Sequence, residues 1–278
     1  MSHLLLELTY NYYLQKIIMN LTFYKYQGAG NDFIMIDNRD NFFPKKDIKG
    51  ISLICDRRFG VGGDGLILLE NDKDLDFNMV YYNADGNEGS MCGNGGRCII
   101  AFAQKLGMIS SQTKFNAVDG EHYATINTDN TISLQMIDVK IINVQENYTF
   151  LNTGSPHHVV VVEDVKNVNV KTEGALIRYS NLYGKEGSNV NFVQYVTDDE
   201  FDVRTYERGV EDETLACGTG VTAAAIALYE TGKTNKTSLK MNVLGGKLKV
   251  TFNKIDNVYK DVFLIGPAKF VFKGQLEM

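Results

Sequence analysis

The amino-acid sequence predicts a mixed α/β (α+β) fold with two pseudo-symmetric lobes, each a curved, mostly antiparallel sheet wrapped around a central apolar helix. The segments Ile99–Leu106 and Val221–Tyr229 are apolar on nearly every side, and a helix without a polar face must be enclosed. Enough strand-like segments flank each of these helices to surround it. A Cys-Gly-x-Gly motif precedes each helix, at Cys92 and at Cys217, which indicates an internal duplication.

The composition excludes several classes of protein. The 278 residues suffice for one large or two medium domains, and the formal net charge of −6 argues against a nucleic-acid partner. The apolar runs are too short to span a membrane. The four cysteines are too few and too dispersed for a disulfide scaffold, and without a CxxC pair we expect no metal. A reducing, cytoplasmic location is therefore expected.

Strand-like and helix-like segments follow one another along the chain. Residues 1–18 lack the basic start and the cleavage site of a signal peptide, and we expect an extension outside the fold or a short surface helix. Tyr123–Asn127 and Thr131–Ile137 alternate across a short polar turn, which predicts a hairpin. The other predicted strands are Leu21–Tyr26, Phe33–Asp37, Leu66–Glu70, Phe77–Tyr82, Val159–Glu163, Val190–Val196, Phe201–Tyr206, Leu239–Val243, Lys247–Phe252 and Val258–Ile265, and a short helix is predicted at Ile48–Cys55.

The two cysteine motifs are matched in their surroundings. Cys92 and Cys217 each follow a predicted strand and precede a predicted helix. Each helix ends at a glycine fifteen residues after its cysteine, at Gly107 and Gly232. At a helix N-terminus, unpaired N–H groups and the helix dipole lower the pKa of a thiol and can hold a carboxylate. A buried structural cysteine would explain one such site but explains two matched sites poorly.

Two facing thiols suit the removal of a proton from one face of a carbon and its return to the other face. We expect the two helix N-termini to meet at the cleft between the lobes, so that Cys92 and Cys217 face each other. A racemase needs an acid and a base on opposite faces, and a thiol and a thiolate can exchange these roles. The backbone N–H groups at Gly93–Asn94 and Gly218–Thr219 are placed to stabilise the enolate.

Three further loops carry polar residues. Asn31 lies in the turn Gln27–Asp32 and is either a turn former or a side chain that reaches a pocket. His157 lies in a turn before a strand, where histidine is usually a surface residue, but a cysteine pair needs basic neighbours. The glycine-rich loop Arg57–Gly65 lacks the spacing and context of a nucleotide-binding motif, so no cofactor is expected.

A set of five motifs spans nearly the whole chain and is highly specific in combination. The motifs are Gly28–Phe33, Asn83–Gly86, Met91–Gly95, Asn189–Phe192, and Glu207–Gly209 followed by Ala216–Gly220. On these motifs the chain resembles the diaminopimelate epimerase family of pyridoxal-phosphate-independent amino-acid racemases, from about Phe23 to Gly274. The resemblance implies one lobe at 19–138 carrying Cys92, completed by a returning strand at 268–278, and a second lobe at 139–267 carrying Cys217.

The resemblance also implies an activity and a set of roles. The activity is the interconversion of LL- and meso-diaminopimelate, a small-molecule substrate of lysine and peptidoglycan synthesis, and we also expect a homodimer. Cys92 and Cys217 resemble the two acid/base residues, Gly93, Asn94, Gly218 and Thr219 the carboxylate cradle, and Asn31, Asn83, Asn189 and Arg208 the polar groups that hold the substrate, with the Arg208 fork suited to the distal carboxylate. Glu207 resembles a partner for an ammonium group beside Cys217, and His157 a residue near Cys92 that helps to set its protonation.

Two departures and three alternatives stay open. Ser155 stands where the family often has Asn, and Gly65 where some members have Gln, so each removes one amide contact. The alternatives are a racemase of the same fold for another amino acid such as proline or histidine, a thiol redox protein, and a binding module. Proline racemases have His after Cys-Gly, where this chain has Asn94, and a redox protein favours a close CxxC pair.

Overall fold

The computed structural model describes residues 20–277, and the extension predicted at 1–18 lies outside the described residues. The helices are α1 (Ile48–Cys55), α2 (Gly93–Lys105), α3 (Val170–Arg178) and α4 (Gly218–Glu230), with a short 3₁₀ helix at Val165–Asn167. The strands are β1 (Asn20–Gly28), β2 (Asn31–Asp37), β3 (Gly65–Glu70), β4 (Phe77–Asn83), β5 (Gln112–Ala117), β6 (Gly120–Ile126), β7 (Ile132–Gln135), β8 (Ile142–Val144), β9 (Thr149–Asn152), β10 (Pro156–Val161), β11 (Asn189–Thr197), β12 (Glu200–Glu207), β13 (Asp212–Thr214), β14 (Ser238–Val243), β15 (Gly246–Ile255), β16 (Val258–Gly266) and β17 (Lys269–Glu277).

The two halves of the sheet repeat one pairing pattern. In the first half β1 to β7 pair in chain order, and their pairings are antiparallel, parallel, antiparallel, parallel, antiparallel and antiparallel. In the second half β9, β10, β11, β12, β14, β15 and β16 pair in that order with the same series of directions. In both halves a short helix fills the first parallel crossover, α1 or α3, and a long helix the second, α2 or α4. The predicted fold class of two pseudo-symmetric lobes is therefore confirmed.

Each lobe buries both faces of its sheet. On β2, Phe33 and Met35 pack with α2, whereas Ile34 and Ile36 alternate with them and pack with α1 on the other side. This explains why β2 and β3 are almost continuously apolar. Ten of the thirteen residues of α2 and ten of the thirteen residues of α4 are buried, so both long helices are enclosed as predicted.

Two strand pairings join distant parts of the chain. β7 of the first lobe pairs antiparallel with β16 of the second, so the sheet continues from one lobe into the other. β17 leaves the second lobe and pairs antiparallel with β1, placing Leu276 opposite Leu21. The lobe boundaries at 138/139 and 267/268 stay a prediction.

Six elements were not predicted from the sequence: the helix α3, the 3₁₀ helix, and the strands β5, β8, β9 and β13. Of these, α3 carries Gly174 in its interior because any side chain there would collide with Tyr206 on β12. None of the helices in residues 20–277 has the length and apolar character needed to cross a membrane.

Candidate active site

The two long helices meet end to end at their N-termini. Cys92 is the N-cap residue of α2 and Cys217 the N-cap residue of α4, and both have extended backbone angles. A methyl group added at Gly218 would lie 3.4 Å from the Cα atom of Gly93, and a methyl group at either glycine would come within 2.9 Å of Leu264. A methyl group at either position would therefore be in van der Waals contact with the opposite helix and would displace the tip of the Leu264 side chain, which shows how closely the two N-termini lie.

A cleft of about 670 Å³ opens at this junction. It brings together eleven of the twelve predicted site residues, and His157 is the one that does not line it. The eleven are Asn31, Asn83, Cys92, Gly93, Asn94, Asn189, Glu207, Arg208, Cys217, Gly218 and Thr219. The wall also includes Asp64, Tyr81 and Ser155, which were not predicted as binding residues from the sequence.

The thiol groups are more strongly affected by burial than by the helix ends. Burial raises the pKa of Cys92 and of Cys217, and the Glu207 carboxylate raises both further. Backbone N–H groups of α2 and the Arg97 guanidinium act in the opposite direction on Cys92. The lowered thiol pKa expected from the sequence is therefore wrong in net direction, because burial, which is greater at Cys217 than at Cys92, disfavours the charged thiolate.

His157 connects to Cys217 through a threonine hydroxyl. The Asn191 side chain donates from Nδ2 to His157 Nδ1 (3.1 Å) and also to the carbonyl of His158, so the His157 proton is assigned to Nε2. His157 Nε2 lies 2.9 Å from Thr219 Oγ1, which in turn lies 3.5 Å from Cys217 Sγ. Burial lowers the pKa of His157 to about 3, so the ring is neutral. Within residues 20–277 the His157 side chain has hydrogen-bond contacts with Ser155, Asn191 and Thr219 and none with Cys92, the partner expected from the sequence.

The Asn94 side chain ties the two lobes together. Its Nδ2 donates to Asn31 Oδ1 and to the carbonyl of Ala216 (3.1 Å), and its Oδ1 accepts from Arg97 Nη2 (2.7 Å). Arg97 is fully buried and also donates to the carbonyls of Gly93 and Pro267. The side-chain amide of Asn94 is thus occupied by protein partners, whereas its backbone N–H interacts with the Cys92 sulfur.

Asn189 has a similar arrangement in the second lobe. Its Nδ2 donates to Ser155 Oγ (3.0 Å) and to the carbonyl of Pro156, while its Oδ1 accepts from the backbone N–H of Arg208 (2.9 Å). Asn189 therefore positions Arg208, whose Nη1 donates to the carbonyl of Glu186. Ser155 takes part in this network, although the sequence indicated only the loss of an amide at this position. The signal that could have found Arg97, a charged residue directly before the apolar run of α2, was present in the sequence.

Solved structures with the same architecture are distant in sequence. A phenazine biosynthesis protein of the PhzF family from Bacillus anthracis is 13% identical with a TM-score of 0.75, covering 94% of this chain and 100% of that one. A hydroxyproline epimerase from Agrobacterium vitis is 14% identical with a TM-score of 0.66, covering 93% of each chain. These likenesses define the class of fold, a two-lobed α+β architecture that this chain shares with the PhzF-family protein and the hydroxyproline epimerase.

Sequence comparison identifies the family within this class. The diaminopimelate epimerase family model matches residues 23–142 and 149–271. Diaminopimelate epimerases from Flavobacterium psychrophilum and Chlorobaculum tepidum are 60% and 40% identical, each over 90% of this chain and over 98% and 99% of their own lengths. The chain belongs to the diaminopimelate epimerase family.

Proposed function

We propose that this chain epimerises LL-diaminopimelate to meso-diaminopimelate, with Cys92 and Cys217 as the paired acid and base. The observation that carries the proposal is the close contact of the two helix N-termini at Gly93 and Gly218, each capped by a cysteine. Inverting a carbon centre needs one proton carrier on each face, and a pair of pseudo-equivalent helices supplies two of them.

The proposed step is a proton exchange without change in oxidation state. The thiolate of one cysteine takes the proton from the substrate α-carbon, and the C–H electron pair passes into the carboxylate to give an enolate. The other cysteine gives its thiol proton to the opposite face and becomes the thiolate. The backbone N–H groups of Gly93, Asn94, Gly218 and Thr219 would hold the carboxylate oxygens, where negative charge increases in the transition state.

The substrate itself would help to generate the thiolate. Burial favours the protonated thiols, so a positive charge brought into the cleft lowers the cost of ionising one of them. A substrate ammonium group beside Glu207 supplies this charge and offsets the Glu207 carboxylate at the same time. Because Glu207 and both thiols are enclosed together, ionisation of any one of them affects the other two.

The remaining predicted residues fit two kinds of role. Asn83 and Arg208 would contact the end of the substrate that does not react, since both side chains line the cleft. Asn31, Asn94 and Asn189 would act mainly by holding other groups, because their amides already bond to protein atoms. His157 would act on Cys217 through Thr219, by directing a hydroxyl proton toward the sulfur.

The cellular context follows from the proposed activity. The product would serve lysine and peptidoglycan synthesis in a reducing cytoplasm, in keeping with the four cysteines, all of them free. A homodimer is supported by the outer strand β17, which exposes Phe270, Val271 and Phe272. Light scattering during gel filtration tests the dimer directly.

Epimerisation of LL-diaminopimelate in deuterated water tests the function. Cys92→Ala and Cys217→Ala should each lower kcat by about 10²- to 10⁴-fold. Cys55→Ala should stay active, because Cys55 is buried in the core and does not line the cleft. With separate acid and base, the inverted carbon carries deuterium from the first turnover, and the starting isomer gains it more slowly. Protium retained in the inverted product would contradict two separate cysteines, and no turnover by the unmodified chain would contradict the function.

A further inference from the structure

The cleft face of β4 carries a phenol to which the proposed reaction gives no role. Tyr81 and Asn83 are two residues apart on this strand, so both side chains project from the same face, and both line the cleft. No hydrogen bond within residues 20–277 uses the Tyr81 hydroxyl, and the adjacent Asn83 amide is also without a protein partner there. Two neighbouring polar groups are thus left available to a ligand.

The Tyr81 ring is fixed between two glycines. A methyl group added at Gly65 would lie 2.5 Å from Cε2 of Tyr81, and one added at Gly89 would lie 2.6 Å from Cε1. Phe33 packs its ring edge-on against Tyr81, with the ring centroids 6.1 Å apart. Neither glycine has a positive φ. At Gly89 the Tyr81 ring alone explains the glycine, whereas at Gly65 a methyl group would also lie 2.4 Å from the backbone carbonyl oxygen of Tyr82. The hydroxyl is therefore held at a defined place in the cleft wall.

The charges around the hydroxyl indicate which partner it suits. Burial, together with Cys92, Glu207 and Asp64, raises the pKa of Tyr81, so the phenol remains neutral and available as a donor. Glu207 and Asp64 are suited to a substrate ammonium group, whereas a phenol donor is suited to a carboxylate oxygen. The carboxylate at the reacting carbon already has donors at the two helix N-termini. The Tyr81 hydroxyl is therefore suited to the carboxylate at the other end of the substrate.

We propose that the Tyr81 hydroxyl donates a hydrogen bond to the non-reacting carboxylate of the substrate, beside Asn83, and so helps the enzyme to select a substrate with two amino-acid ends. This role rests on the function proposed above. Tyr81 takes the space that a side chain at position 65 would occupy, with its hydroxyl 3.0 Å from a methyl group placed there. Gly65 on β3 has no side chain to offer the substrate, and the Tyr81 hydroxyl on β4 supplies a polar group in its place.

Kinetics of Tyr81→Phe on diaminopimelate test the proposal. This change keeps the ring between Gly65 and Gly89 and removes only the hydroxyl. We expect KM and the dissociation constant of the substrate to rise about tenfold or more, as for loss of a hydrogen bond to a charged group, while kcat changes less than about threefold. The deuterium labelling pattern of the product should not change. Tyr82→Phe is the matched control, because the Tyr82 side chain packs into the core on the other face of β4.

The outcomes separate this assignment from the proposed function. Unchanged KM and dissociation constant in Tyr81→Phe, beside an active unmodified chain, would overturn the role of Tyr81 alone. A fall in kcat without a change in KM would also overturn it, because the hydroxyl would then act on the proton transfers. An unmodified chain that neither binds nor turns over diaminopimelate would overturn the function and this assignment together. Thermal unfolding of both variants shows whether the fold is retained.

Discussion

Asn94 on α2 donates a hydrogen bond to the backbone carbonyl of Ala216, the residue that precedes Cys217 in the other lobe. Asn94, two positions after Cys92, is therefore bonded to the residue directly before Cys217. This contact fixes the distance between the two helix N-termini, and it does so with an amide whose oxygen is in turn held by the buried Arg97. The pairing of the cysteines thus depends on a polar network behind the cleft.

Asn94→Asp should remove the hydrogen bond between the two lobes while the protein stays folded. The carboxylate still accepts from Arg97 but can no longer donate to Asn31 or Ala216. We expect kcat/KM for diaminopimelate to fall at least about tenfold, since two hydrogen bonds worth about 1 kcal/mol each are lost, with a folded protein by circular dichroism. Asn116→Asp on β5, away from the cleft, serves as the control. Unchanged kcat/KM in Asn94→Asp would show that this contact does not set the cysteine geometry.

Arg97→Met should make Cys92 harder to ionise. The Arg97 guanidinium lowers the pKa of Cys92, so its removal raises that pKa and shifts the pH dependence of Cys92 alkylation by iodoacetamide to higher pH. The modified peptide is quantified by mass spectrometry at each pH. Arg58→Met, which removes an exposed charge, should leave the profile unchanged. A shift to lower pH, or no shift, would contradict the electrostatic role of Arg97.

Thr219→Val should interrupt the connection from His157 to Cys217. The substitution preserves the shape of the side chain and removes the hydroxyl that lies 2.9 Å from His157 Nε2. We expect a lower kcat and a Cys217 alkylation profile displaced to higher pH, because the hydroxyl lowers the pKa of Cys217. The Cys92 profile should hardly move. Equal effects on both cysteines would indicate a general disturbance of the cleft.

Stability should decrease as the pH falls below neutrality. Burial lowers the pKa of His157 to about 3 and of His158 to about 4, whereas both histidines titrate near their usual value of 6.5 when unfolded. Between those values the unfolded state binds more protons, so the free energy of unfolding falls by about 1.4 kcal/mol per pH unit for each histidine. Urea unfolding from pH 7 to pH 4.5 measures the slope. His158→Gln should make the slope shallower, and an unchanged slope would count against a neutral buried His158.

Local sequence patterns predicted the elements that contain the chemistry. The helix starts at Cys92 and Cys217 and the enclosure of both helices follow from glycine placement and apolar periodicity, which are local properties. α3 was not predicted, because Gly174 is unfavourable in a helix and is explained only by its contact with Tyr206.

The properties of the side chains in the cleft depended on contacts between distant segments. The orientation of the Asn94 and Asn189 amides is set by partners in other elements, which the sequence does not show. The direction of the thiol pKa shifts was wrong because it depends on how completely the two lobes exclude water. That enclosure arises only when both halves of the chain are folded together.

The return of β17 to β1 has a consequence for synthesis of the chain. β1 is among the first strands to be translated, but β17, which pairs with one of its edges, ends at Glu277. That edge of β1, where Phe23 lies opposite Gly274, can pair only after β17 has been synthesised. The second lobe can complete its own strand order as soon as β16 emerges from the ribosome. Although domains usually mature from the N-terminus, the first lobe here would be the last to finish. Until then its unpaired β1 edge is exposed to other nascent chains, a period in which chaperones would be expected to act.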